Sequence, residues 1–120
     1  MFKHNFRDLK IWQDSMEITK EIYRLVDKFP QEEKFALSNQ LIRSGVSISS
    51  NIAEGSYRTT NKEFSRFLDM ALGSSAEAET QLIIAEWRGY ISSLELKELV
   101  QRINSVQRRT NSFKSKILRT

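Results

Sequence analysis

Residues 43–56 read RSGVSISSNIAEGS. Serines, two glycines and short apolar residues alternate here, and three structures compete for them. A strand is the first thought, because Val46, Ser47, Ile48 and Ser49 alternate in polarity. The wider window favours a helix. Leu37, Leu41, Gly45, Ile48 and Ile52 share one helical stripe, and Phe35, Ile42, Val46, Ser49 and Ala53 share the stripe beside it. Gly45, Ser49 and Ala53 recur every fourth residue, a row of small side chains that lets a second helix come close. A mid-helix glycine costs about 1 kcal/mol relative to alanine, so close packing is a physical reason for Gly45. Gly55 then falls at the position of a helix-ending glycine. The third reading, a phosphate loop, fails on residue types, because the glycines and lysine of GxxxxGK[ST] are absent. The spacing predicts a helix over 33–54.

Outward from this segment, the same period recurs. Over 9–29, Leu9, Trp12, Met16, Tyr23 and Val26 form one stripe, and Ile11, Ile18, Ile22, Leu25 and Phe29 form another. Together they span about twice the ~100° apolar face of an ordinary surface helix. One stripe suits the domain core. The other needs a second partner, and Ile11, Ile18, Ile22 and Leu25 are assigned on this basis to a subunit interface. Asp8 is the expected N-cap, and Pro30 ends the segment. Thr60 and Glu63 have the spacing of a capping box. Phe64, Phe67, Leu68, Ala71, Ser75, Ala78, Leu82 and Ala85 then keep helical register up to Gly89, giving a helix at 61–88. Its small-residue middle, 71–79, would complement the small row of the second helix. Ser92 and Glu95 mark another capping box. Leu96, Leu99, Val100, Ile103, Val106, Thr110, Phe113 and Ile117 form the seam of a helix at 93–118. Loops fall near 30–32, 55–60 and 89–92. The fold class is therefore all-α, a single four-helix bundle over 1–120 with up-down-up-down topology.

Composition agrees. A chain of 120 residues suits one domain, and one proline with four glycines favours long helices. The absence of cysteine excludes disulfides and thiolate metal sites, and is compatible with a reducing cytoplasm, the expected location. MFKHNFRDLK lacks the apolar core of a signal peptide, and no apolar run is long enough to span a membrane. Net charge is +4, unevenly placed. The last twenty residues carry Arg102, Arg108, Arg109, Lys114, Lys116 and Arg119 with no acid, while the first hundred are nearly balanced. Such a segment suits a polyanion. It also suits a solvated helix face whose cations complement the helix C-terminus.

No catalytic constellation stands out, and neither a cofactor nor a metal is called for. His4 is the only histidine and lies in an N-terminal stretch expected to be mobile. It has no second histidine for a metal and no fixed partner for nucleophilic catalysis. Arg43, Ser47, Ser50, Asn51 and Glu54 lie on one side of the second helix, with Glu77 on the third. Glu54 and Glu77 could act as a carboxylate pair. The structural alternative is a polar network in which Arg43 pairs with Glu77 while Asn51 and Glu54 fix the turn. Trp87, Arg88 and Tyr90 could stack on bases, but such aromatics more often serve as core or subunit-interface anchors.

IRSGVSISSNIAEGS at 42–56, the run at 64–71, GSSAE at 73–77, AEWRGYIS at 85–92 and DLKIWQDSMEI at 8–18 together resemble the four-helix-bundle family of bacterial 23S rRNA intervening sequences. The resemblance covers nearly the whole chain, and NIAEG is its most specific part. It implies a four-helix protomer assembling into a ring-shaped homopentamer. It also implies similarity to the accessory variability determinant of diversity-generating retroelements, a basic pentamer that works with a reverse transcriptase and nucleic acid. The expected function is a non-enzymatic homo-oligomer that binds structured RNA, or DNA, through phosphate contacts of the basic fourth helix. The alternative is an adaptor or scaffold for a polymerase-type protein, without nucleic-acid contact.

Overall fold

The computed structural model describes residues 4–119. Four helices carry the fold: α1 Lys10–Val26, α2 Leu37–Ser56, α3 Asn61–Trp87 and α4 Ser93–Leu118. Two 3-10 turns, Phe6–Asp8 and Gln31–Glu33, precede α1 and α2. There is no strand among the described residues. Each helix packs on two others, α1 on α2, α2 on α3, α3 on α4 and α4 on α1. The connections are short, so neighbours run antiparallel and the bundle closes.

The helix ends follow local chemistry, with some departures from the sequence reading. Ser92 and Glu95 form the full reciprocal capping box of α4. Thr60 accepts a hydrogen bond from the Glu63 N–H and so caps α3. Gly89 adopts φ +76°, the left-handed turn that ends α3. Asp8 is not the cap of α1. It belongs to the 3-10 turn that Asn5 caps, and Leu9 occupies the N-cap position without a side-chain bond. Gly55 does not end α2 either. It is buried inside the helix beneath the next one, where an added Cβ would lie 2.7 Å from Phe67 Cβ and 2.8 Å from Phe64 Cδ1. Close approach, not a left-handed turn, is its reason. α2 starts at Leu37, four residues later than the periodicity implied, because the chain at 31–33 winds as a 3-10 turn. Phe35 therefore leaves the apolar stripe and stands 87% exposed.

The core falls into two clusters. One gathers Ile18, Ile22, Leu25, Leu41, Leu82 and Ile103 near the loops at 27–36 and 88–92. The other gathers Ile11, Ile48, Ile52, Phe64, Leu68 and Ile117 toward the opposite end. Ser15, Gly45, Ser75 and Thr110 are buried between them, one from each helix. Small side chains at this waist bring backbones together. Ile22 Cδ1 would lie 2.7 Å from a Cβ placed on Gly45, and Thr19 Oγ1 donates to Gly45 O at 3.2 Å. The small row of α2 thus receives α1, not the small middle of α3 as the sequence suggested. Midway along α2 and α3 the contact is between hydroxyls, with Ser47 Oγ 2.8 Å from Ser74 Oγ.

The interface assigned to α1 needs correction. Ile11, Ile18, Ile22 and Leu25 are 0–4% exposed within the protomer. They fill the core and cannot meet a second subunit. The remaining stripe faces outward: Tyr23 is 47% exposed, while Trp12 and Met16 are half-buried. With Val46 and Ala53 these side chains line an apolar groove between α1 and α2.

Candidate nucleic-acid interface and a polar groove

α4 turns Leu99, Ile103, Val106, Thr110 and Ile117 inward. At 100° per residue, Arg108 and Arg119 project from the opposite side, and Lys116 and Arg109 flank them toward α1. Arg102, Arg108, Lys116 and Arg119 are exposed and form no ion pair among the described residues. Two of the assigned phosphate ligands are already engaged. Arg109 Nη1 meets Asp14 Oδ2 at 2.6 Å, and Asp14 also takes Lys10 Nζ at 3.0 Å. Lys114 Nζ meets Asp69 Oδ1 at 2.6 Å on α3. The last twenty residues lack acids, but their neighbours in space do not. Acids on α4 itself stop at Glu98, and Glu95 pairs with Arg24 of α1 and with Lys28 in the turn after it. The Lys28 ammonium, with the Ser92 N–H, holds the Glu95 carboxyl down to about 2. The Arg24 guanidinium likewise lowers Glu21. The first turns of α4 are thus charge-balanced, and its last turns are basic.

The aromatic end of α3 divides in two. Tyr90 is an anchor: its hydroxyl donates to Glu33 Oε2 at 2.8 Å, and its ring lies 5.2 Å from that of Phe29. Arg88 Nε donates to the Tyr90 hydroxyl at 3.3 Å. Trp87 is 75% exposed. His4 is not loose, since its ring sits 5.6 Å from Phe64 and 5.3 Å from Phe113.

The proposed polar network is differently wired. Arg43 and Glu77 are exposed and do not pair. Glu54 pairs with Arg58 at 2.7 Å, across the turn after α2. Asn51 does not reach that turn. Its amide donates back to Ser47 O at 2.8 Å and Ser47 Oγ at 2.9 Å. Glu54 and Glu77 do not share a site, because Glu77 lines a groove that Glu54 does not reach. That groove, about 670 Å³ between α2 and α3, is lined by Phe35, Asn39, Gln40, Arg43, Glu77 and Gln81 above the hydroxyls of Ser44, Ser47 and Ser74. Sequence reasoning missed Asn39, Gln40 and Gln81. Periodicity puts Phe35 on an apolar stripe of the second helix, and only the late start of α2 reveals its exposure. Among the described residues, no group of three or more His, Asp or Glu side chains could hold a metal, and no helix is long and apolar enough to cross a membrane.

These features define a class, an all-α up-down four-helix bundle with a basic outer helix. Residues 7–112 match the sequence profile described as 23S rRNA-intervening sequence protein. The chain belongs to that family. A solved structure at 1.70 Å, a protein with unknown function from the S23 ribosomal protein family of Bacteroides thetaiotaomicron, is similar to it. The two are 26% identical with a TM-score of 0.79, over 87% of this chain and 97% of the other. No curated protein matches the chain.

Proposed function

We propose that the protein is a non-enzymatic homo-oligomer that binds structured RNA through the last turns of α4. The observation carrying this reading is the set of Arg102, Arg108, Lys116 and Arg119, exposed and without ion-pair partners among the described residues, on a stretch that carries no acid. Phosphates would displace counterions from these side chains, so affinity depends on salt and little on sequence. Arg109 and Lys114 contribute less, because Asp14 and Asp69 compete for them. Oligomerisation would use the α1/α2 groove of Trp12, Met16, Tyr23, Val46 and Ala53. A ring, pentameric by family resemblance, would repeat the basic ridge around its rim and add avidity.

The test is fluorescence anisotropy of a labelled structured RNA at low and near-physiological salt, with nucleic-acid-free protein. Wild type should bind steeply more weakly as salt rises. Replacing Arg102, Arg108 and Lys116 together by glutamate should abolish binding while leaving the melting temperature near that of wild type. Unchanged affinity in that variant rejects the assignment. A second reading, an adaptor for a polymerase-type protein such as a reverse transcriptase, is favoured by the same apolar groove. Salt-insensitive association with such an enzyme in the absence of RNA would put it first.

A further inference from the structure

The groove between α2 and α3 combines features not used by the basic ridge. Its floor is preorganised: Ser44 Oγ donates to Gln81 Oε1 at 2.7 Å, and the Ser47 and Ser74 hydroxyls are hydrogen-bonded to each other at 2.8 Å. Its walls carry opposite charges. Arg43 stands on α2 and Glu77 on α3, both exposed and not paired with each other. At the rim Phe35 is 87% exposed, and Lys34 Nζ lies 5.5 Å from its ring centroid. An exposed phenyl ring at the mouth of a polar groove gains nothing from the protomer's own core.

We propose that this groove binds an unpaired guanine base. The chemistry is one of matched edges. Guanine O6 and N7 accept the two N–H groups of an arginine fork, the pairing expected of Arg43. Guanine N1–H and N2–H2 both donate, and on the opposite edge they suit the Glu77 carboxylate, which only accepts. The flat base stacks on Phe35, and Lys34 beside it meets a phosphate. The other bases fit worse. Adenine offers an amino donor where Arg43 needs an acceptor, and has no N1–H for Glu77. Uracil flanks its single imino donor with two carbonyls, which a carboxylate repels. Because Glu77 takes the pairing edge, the base must be unpaired, as in an RNA loop. The site rests on the nucleic-acid reading for its natural ligand, yet it is separate from the α4 ridge and testable without it.

The experiment is titration of the full chain with GMP, AMP, CMP and UMP, followed by amide and side-chain NMR shifts. GMP should give saturable shifts around Arg43, Ser74 and Glu77, with AMP at least tenfold weaker. Glu77→Gln replaces an acceptor oxygen by a donor, and should reduce the guanine preference tenfold or more at unchanged melting temperature. Phe35→Ala should weaken all four nucleotides alike. The Arg102, Arg108 and Lys116 triple variant should lose structured RNA and still bind GMP; that result separates failure of the ridge from failure of the groove. Absence of saturable shifts up to millimolar GMP, or equal response to all four nucleotides, overturns the proposal. So does a guanine preference that survives both Glu77→Gln and Arg43→Met.

Discussion

One chemical change should have opposite signs at two glycines. Gly73 is exposed in the middle of α3, and a Cβ there would meet nothing within 4 Å. Gly73→Ala should stabilise by about 1 kcal/mol, through helix propensity and a less mobile unfolded chain. Gly55→Ala gains the same propensity but drives its methyl into Phe67 Cβ and the Phe64 ring. Overpacking of about 1–3 kcal/mol outweighs that gain. Urea midpoints should therefore move in opposite directions. Thr110 offers a third case. It is 1% exposed, and its Oγ1 has no hydrogen-bond partner among the described residues. Thr110→Val keeps the shape and removes an unsatisfied hydroxyl, so it should be neutral or stabilising by about 1 kcal/mol. A loss of stability would mean that the hydroxyl is satisfied in solution.

At the scale of the element, α4 illustrates how one residue serves two structures. Glu95 closes the capping box of α4 and binds Lys28 in the turn after α1. Its folded pKa, about 2, lies below the 4.5 of an unperturbed carboxyl. The unfolded chain therefore takes up the proton first as pH falls. The stabilisation is present above about pH 4.5 and is lost progressively toward pH 2. The groups are partly solvated, so the effect should be below about 1 kcal/mol. Glu95→Gln should flatten this part of the stability–pH curve. An identical pH dependence in wild type and variant would remove Glu95 from the account. The same helix shows why a basic segment is not yet a basic surface: Asp14 and Asp69 reach Arg109 and Lys114 from other helices.

At the scale of the molecule, the two apolar stripes of α1 have exchanged roles relative to the first reading. Ile18→Asp and Leu25→Asp should unfold the protein, since each places an unpaired charge in a fully packed core. Met16→Asp and Tyr23→Asp should instead spare the fold and abolish the proposed self-assembly, because these side chains line the outward groove. Circular dichroism melting with sedimentation velocity separates the outcomes. Assembly unaffected by both outward variants would remove the groove as the subunit contact.

Much of the fold was legible in residues 9–118, and the physical reason is locality. Helical period, the Ser92–Glu95 and Thr60 caps, and the turn at Gly89 depend on interactions within a few residues, so four helices and their order follow from the sequence. Locality does not say which of two adjacent stripes on α1 is buried, because both are apolar. That is decided by α2, whose Gly45 leaves the space for Ile22 that a Cβ would take. Nor could spacing reveal that Gly55 lies under α3, that Arg43 and Glu77 face one groove unpaired, or that acids from α1 and α3 neutralise part of the basic row. Those are facts about residues far apart in the chain, and only packing of the four helices brings them together.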